Sequence, residues 1–343
     1  MHKRTESEIR SNWKSHDEIK VSVCCITYNQ ERYIEKAIDS FLGQYTSFPF
    51  EIIIGDDHST DNTYKILEQY KKEYPNIVKV IRSEENIGAN ANILQVFNAS
   101  KGKYIALCEG DDYWISENKL EIQFNEMKSN SSCKFSFHRA FLENDIGNKT
   151  IAFNKGNKNK YYDINDIINS YYQFSPTSSY MFERDFILKK IPSWFNQAAI
   201  GDFFLELYGS STHKPLYIAN TLSVYRVESH NSWTERIKKN YSKYLKTQNN
   251  IIKFTLLCSN ELKLKNRLID KRISFVYYNL AIRSLYNKKY FFYSYYLRKS
   301  IKLNTTLKNS VLWLFLKSPK FTLKTMLLLK LIKNKMVKNN AKW

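Results

Sequence analysis

Long apolar runs are missing from this sequence. The longest, Val311–Leu316, and the later Met326–Leu329 both fall far short of the ~20 residues that cross a bilayer. Residues 1–20 hold no apolar h-region, so no secretory leader is visible. Glycine (9) and proline (6) are scarce, which excludes collagen-like and linker-rich architectures. Cysteines are few: Cys24, Cys25, Cys108, Cys133 and Cys258. Their odd number and their spacings match neither a disulfide framework nor a zinc site. They read as buried free thiols in a reducing compartment. No repeat of fixed period supports a solenoid. Acidic residues nearly vanish from the last third: residues 233–343 hold 3 of them against 26 basic ones.

What is present is a globular composition. The 343 residues are 43% hydrophobic and 15% aromatic, too apolar for intrinsic disorder. The net charge of +20 divides unevenly, with +23 in residues 233–343 and −3 in residues 1–232. A nearly neutral body precedes a strongly basic region, and the two need separate explanations.

The body alternates strands and helices. Residues 21–27 (VSVCCIT) read as a buried strand. Ile34, Ala37, Ile38, Phe41 and Leu42 form the stripe of an amphipathic helix. A second strand (51–54) ends in Gly55-Asp56-Asp57-His58-Ser59-Thr60-Asp61, and a helix from Thr63 stops near Pro75. A third strand (77–81), a turn at Asn86-Ile87-Gly88 and a helix around Ile93, Leu94 and Phe97 follow. A fourth strand (103–108) runs into Glu109-Gly110-Asp111-Asp112. This order predicts βαβ units and a mostly parallel sheet. Ligands of such sheets bind beyond strand C-termini, where Thr27–Asn29, Asp56–Ser59 and Glu109–Asp112 fall. Beyond residue 113 a helix, a strand at 134–139, a loop or hairpin at 144–160, a small-residue turn at Ser175–Ser179, a helix start near Asp202 and strands over 215–226 are expected.

Three carboxylates within Glu109–Asp112 repel one another unless a positive charge neutralises them. A divalent cation shared with phosphate oxygens does so, and a solvated acidic turn is the plain alternative. Asp56 and Asp57 suit either hydrogen bonding to a nucleoside or capping of the next helix. Tyr113 and Trp114 suit stacking on a sugar or core packing equally.

VSVCCITYN at 21–29, EIIIGDDHSTDNT at 51–63, NIGANANI at 86–93 and KYIALCEGDDYW at 103–114 together resemble the family 2 glycosyltransferases of the GT-A fold, of the bacterial polysaccharide type. The resemblance covers roughly residues 20–235. It implies a Rossmann-like, mostly parallel sheet flanked by helices, with a C-terminal helical basic region beyond it. It implies inverting transfer from a nucleotide-sugar, usually a UDP-sugar. Carried over by residue, Thr27, Tyr28 and Asn29 line the base pocket, Asp57 contacts the uracil edge with Asp56 beside it, and Asn86 belongs to the donor site. Asp111 is the main ligand of a divalent metal, Mn²⁺ or Mg²⁺. Glu109 faces ribose or metal, and Asp112 orients the donor sugar. His58 stands where the family usually has Gly, and Glu109 where it usually has Asp.

The resemblance further implies a general base beyond the metal motif, and Asp202 of Ile200-Gly201-Asp202 fits that place; a helix-opening carboxylate is its plain alternative. Arg226 and Ser232 would flank the diphosphate, and His230 is a candidate metal ligand. Ser175–Ser179 resembles an acceptor-side loop, and a plain turn is its default reading.

The expected division is 1–19 as an N-terminal extension, 20–235 as the GT-A domain and 236–343 as a helical basic region. Within the last, residues 311–335 alternate lysines and apolar clusters as an interfacial helix does, which predicts contact with an anionic membrane surface. Residues 240–310 read as an ordinary helical subdomain. No nucleic-acid motif accompanies the basic residues, so nucleic acid is not an expected partner. The expected partners are a nucleotide-sugar and a glycan or lipid-linked acceptor, at the cytoplasmic face of the cell membrane. Two readings compete: a nucleotidyltransferase, for which TYNQERYIEK lacks the glycines, and a sugar-nucleotide-binding or membrane-scaffold protein without transfer activity.

Overall fold

Strand β1 (Val21–Thr27) lies at the centre of the first unit, with every side chain buried. It pairs in parallel with β2 (Phe50–Asp56) and with β4 (Tyr104–Glu109), and β2 pairs in parallel with β3 (Val78–Arg82). Burial on both faces explains why β1, β2 and β4 read as largely apolar runs. Val23 and Cys25 join the core beneath helix α2 (Ile34–Leu42), while Cys24 turns to the other face and donates its thiol to the Val96 carbonyl.

The computed structural model describes residues 4–16, 18–227, 237, 240–314 and 318–326. The chain divides into two compact units, Met1–Glu235 and Arg236–Trp343. The described strands of the first form one sheet in the order β3-β2-β1-β4-β9-β6-β10-β5. Strand β6 (Phe135–Glu143) pairs in parallel with β10 (Leu216–Arg226). The short β9 (Met181–Glu183) runs antiparallel between β4 and β6, and β5 (Tyr113–Trp114) antiparallel to β10. Segment 144–160 holds the hairpin partner β7 (Lys149–Ala152) and the start of β8 (Lys160–Tyr161). This mostly parallel sheet, flanked by helices, is the GT-A arrangement.

The helices sit where apolar spacing and stop signals placed them. In α2 the stripe Ile34, Ala37, Ile38, Phe41 and Leu42 is buried and Gly43 ends it. Helix α3 (Thr63–Glu73) stops before Pro75. Gly88, at φ +88°, opens α4 (Ala89–Ala99). Residues 4–10 are tied to the first unit: Thr5 and Glu8 form a capping box on α1 (Glu6–Arg10), Ile9 enters the core, and the Tyr74 hydroxyl donates to the Arg4 carbonyl at 2.9 Å. The second unit is helical, with Tyr241–Glu261, Asn266–Tyr286, Tyr290–Leu303 and Leu307–Leu314, and a further helical stretch at 319–326. No described helix is long and apolar enough to cross a membrane. The interfacial segment expected at 311–335 lies partly outside the described residues, which omit 315–317 and 327–343. All five cysteines are buried and free.

Gly55, near the end of β2, lets α4 approach closely. The Asn92 side chain donates to the Gly55 carbonyl at 2.8 Å, and a Cβ at Gly55 would stand 2.0 Å from Asn92 Oδ1 and 2.8 Å from Val96 Cγ1. Gly55→Ala is therefore expected to destabilise this unit by about 1–3 kcal/mol through overpacking. A lowered thermal midpoint is the expected reading, and an unchanged one shows that Asn92 yields freely.

Candidate active site

The parallel register brings three strand ends, two of them acidic, to one edge. Thr27 pairs with Asp56 across β1 and β2, and Ile26 with Glu109 across β1 and β4. Two loops meet above β1 and β2. Asn29 and His58 hold left-handed backbone, at φ +53° and +61°, His58 at the place where the resemblance has glycine. The loops lock together side chain to backbone: Asn29 N–H donates to Ser59 Oγ, Thr60 N–H to Asn29 Oδ1, Gln30 N–H to Thr63 Oγ1, Glu31 N–H to Asp61, and Asn62 N–H to Glu31.

Asp56 and Asp57 have different surroundings. Asp56 is fully buried, accepts from Ser59 N–H and pairs with Arg82 at 3.5 Å. Asp57 accepts from Ile87 N–H at 2.7 Å and Gly88 N–H at 3.0 Å, one on each oxygen. Burial pushes both carboxyls above their usual range, against those hydrogen bonds. Asn86 donates to the Asp57 carbonyl, so the Asn-Ile-Gly turn and Asp57 brace each other. Thr27 is buried and donates to Gln30, whereas Tyr28 and Asn29 are half-buried.

The acidic group after β4 is crowded and largely buried. Burial first, then Asp111 and Asp202, push the Glu109 carboxyl up to about 8. Asp112 is driven well above its usual range by burial, then by Asp111 and Glu109. One Asp112 oxygen accepts from Arg226 N–H at 2.8 Å. The other is buried and meets no donor among the described residues. Burial, and after it Asp112, Glu109, Asp202 and Asp111, raise the Tyr225 phenol, which marks the point where the four carboxylates converge. Asp202 opens helix α8 (Asp202–Gly209). The loop before it is pinned by buried Asn90, whose amide donates to the carbonyls of Phe195 and Ala198.

Among the described residues no three His, Cys, Asp or Glu side chains form a ready-made metal cage. The orphaned Asp112 oxygen and the mutually repelling Glu109, Asp111 and Asp202 nevertheless fit a hard divalent cation. Such an ion takes one or two carboxylates and completes its shell with phosphate oxygens and water. His230 and Ser232 lie outside the described residues.

Arg226 is held on several sides. Its Nε donates to Glu143 at 3.0 Å, its guanidinium also donates to the Asp111 carbonyl, and it faces the rings of Tyr113 and Tyr33 at 4.6 and 5.1 Å. Glu143 accepts from the Tyr113 hydroxyl as well. Sequence reading missed Glu143, Tyr225 and Asn90; the β6–β10 pairing that sets Glu143 opposite Arg226 is the signal that exposes the first.

Burial decides two readings left open by the sequence. Trp114 and Tyr113 do not present faces to a sugar. Trp114 is fully buried, packs on Phe41, donates to the Ser178 carbonyl and carries the Lys119 ammonium 4.0 Å from its ring centroid. Tyr113 is buried with the Lys36 and Arg226 cations over its ring. Core and cation packing claim both residues. Ser175–Ser179 is likewise interior: Ser175, Ser178 and Ser179 have no exposed surface, and a short 3₁₀ turn at Thr177–Ser179 is as far as it departs from the core. Ser175 N–H, Ser175 Oγ and Tyr180 Oη all donate to one oxygen of Glu206, one turn along α8 from Asp202.

The fold and this carboxylate-lined edge define a GT-A glycosyltransferase. Residues 22–189 match the family model described as glycosyl transferase family 2, and the chain belongs to that family. An uncharacterized protein of Mycobacterium tuberculosis is 33% identical over 213 residues, covering 62% of this chain and 60% of that protein. The chain thus spans about three fifths of the length of that relative. The UDP-Glc:alpha-D-GlcNAc-diphosphoundecaprenol beta-1,3-glucosyltransferase WfgD of Escherichia coli is 34% identical over 146 residues, 42% of this chain and 55% of that protein. Among solved structures, S. aureus TarS 1–349 in complex with UDP has a TM-score of 0.59 at 16% identity, covering 83% of this chain and 81% of that one. The mannosyltransferase PcManGT from Pyrobaculum calidifontis, in complex with GDP-Man and Mn²⁺, has 0.54 at 13% identity, covering 94% and 90%. At such identities the likeness is one of fold.

Burial pushes Glu206 up to about 7, against the hydrogen bonds of Ser175 and Tyr180. A carboxyl raised in the fold favours the protonated form. Its contribution is therefore full at acid pH and is lost as pH climbs from the ordinary carboxyl value of 4.5 to about 7. The loss is about 3 kcal/mol over that window. Glu206→Gln accepts the same bonds and cannot ionise. Its thermal midpoint is expected to gain on the native protein between about pH 5 and about pH 8. Parallel pH curves for the two proteins contradict the assignment.

Proposed function

We propose that this chain transfers a sugar, with inversion, from a nucleotide-sugar donor to a hydroxyl of a lipid-linked or polysaccharide acceptor in bacterial surface-glycan synthesis. The observation that carries this reading is the convergence of Glu109, Asp111, Asp112 and Asp202 on one edge of the parallel sheet. Family membership and the relative WfgD, named as a glucosyltransferase from UDP-Glc to a diphosphoundecaprenol-linked sugar, support it. The UDP and GDP-Man complexes of fold neighbours support a nucleotide-sugar donor, and a UDP-sugar is the first choice.

In this reading Tyr28, Asn29 and Asp57 hold the base. Asp57 uses lone pairs left over from its bonds to Ile87 and Gly88. Asp111, with Glu109 beside it, holds Mn²⁺ or Mg²⁺, which offsets diphosphate charge when bound. Asp202 accepts the proton of the acceptor hydroxyl as that oxygen bonds to the anomeric carbon, opposite the departing diphosphate. Arg226 supplies a fixed positive charge near the leaving group. Its ties to Glu143 and Asp111 keep it from following the departing diphosphate, so it acts as a stationary countercharge.

The test is a thermal-shift screen of nucleotide-sugars with and without Mn²⁺, followed by transfer assays. Asp202→Asn is expected to lower kcat by about 10²–10⁴-fold, the range typical for loss of a general base, while donor binding persists. Asp111→Ala is expected to abolish the metal-dependent shift. Full transfer by Asp202→Asn removes the base assignment, and a screen with no shift at all refutes the enzyme reading.

A further inference from the structure

Helix Tyr290–Leu303 has two faces of unlike chemistry. Tyr293, Tyr296, Leu297 and Ser300 are buried, at the i, i+3, i+4, i+7 spacing of a core-facing stripe. The opposite arc carries Phe291, Phe292 and Tyr295, exposed by 76%, 40% and 43%, together with exposed Arg298 and Lys302. With Lys299 these residues span about a third of the helix circumference. The rings are continuous. Phe291 meets Phe292 edge-on at 5.6 Å, Phe292 stacks on Tyr296 at 6.2 Å, and Tyr295 meets Tyr296 at 5.2 Å. The Lys299 ammonium sits 4.7 Å from the Tyr295 centroid and 5.3 Å from that of Tyr277. The helix itself carries no acidic residue, and 17 basic and no acidic residues follow Asp270.

A solvated helix face normally mixes charges of both signs and hides its large rings. Here protruding phenylalanines alternate with uncompensated cations. We infer that this face is a docking surface for an anionic lipid bilayer. Phe291, Phe292 and Tyr295 enter the boundary between headgroups and acyl chains, while Arg298, Lys299 and Lys302 meet headgroup phosphates. Charge complementarity selects this occupant over a second copy of the chain. A two-fold pairing of the face would bring its three cations against themselves. The surface lies upstream of 311–335, in a segment whose sequence pattern read as an ordinary helical subdomain. It stands on the second unit alone and does not depend on the reaction proposed for the first.

The experiment is co-sedimentation of the full chain with vesicles of phosphatidylcholine, with and without phosphatidylserine. Mass photometry and a single-stranded oligonucleotide serve as companion measurements. The native chain is expected to pellet with the phosphatidylserine vesicles and weakly with the neutral ones. Arg298→Gln/Lys299→Gln/Lys302→Gln is expected to weaken that partition by about a hundredfold, from the loss of three surface cations. Phe291→Ser/Phe292→Ser/Tyr295→Ser is expected to leave binding that disappears at high salt. All six side chains lie on the solvent side, so variants whose circular dichroism and thermal midpoint match the native chain report the surface itself. Four results overturn the proposal: no vesicle binding by the native chain, unchanged partition of both folded variants, preference for the oligonucleotide over vesicles, or a dimer that the serine variant abolishes.

Discussion

Arg226 is the joint on which the first unit's second half hangs. Its backbone N–H holds Asp112, and its guanidinium holds Glu143 and the Asp111 carbonyl. These bonds fasten the ends of β6 and β10 to the loop that leaves β4. They act together with the β5–β10 ladder and the Tyr113–Glu143 bond, which tie the same segment to this half of the sheet. The arrangement also answers an electrostatic need. Burial penalises the charged forms of Glu109 and Asp112, and Arg226 is a cation that lowers Asp112. The crowding of Glu109, Asp111, Asp112 and Asp202 is the feature that fits this edge to a divalent cation.

Much of this was legible in the sequence where the signal was local. Apolar runs marked β1, β2 and β4, and helical spacing marked α2, α3 and α4. Parallel order then forces Thr27, Asp56 and Glu109 to one edge, because every connection returns to the same side. The helix start at Asp202 was also plain. Features that depend on distant pairing were not. Glu143 becomes part of the site only through its register with Arg226, 83 residues on. Tyr225 gains meaning only when the carboxylates of Glu109–Asp112 and of the distant Asp202 are seen to act on it together.

Side-chain burial was the other blind spot. Tyr113-Trp114 follows an acidic cluster, and ring chemistry alone suits a sugar as well as a core. Lys119 decided the matter for Trp114: it is itself fully buried, and burial lowers it to about 7. A serine-rich stretch such as Ser175–Ser179 reads as a surface turn until Glu206 is seen to receive its N–H and hydroxyl. In the second unit the composition announced a basic region, but the sorting of aromatics and cations onto one arc of Tyr290–Leu303 appears only when burial is known.

The interlocked loops over β1 and β2 carry a last consequence. Asn29 and His58 hold a backbone geometry that costs most residues of order 1–3 kcal/mol, and the surrounding bonds keep them there. The disorder of these loops is therefore surrendered when the polypeptide folds, before any guest arrives. A molecule that settles against them finds a rigid floor, and little of its binding energy goes into arranging the host. Selectivity at such a floor rests on shape, since a mismatched guest meets walls that do not yield.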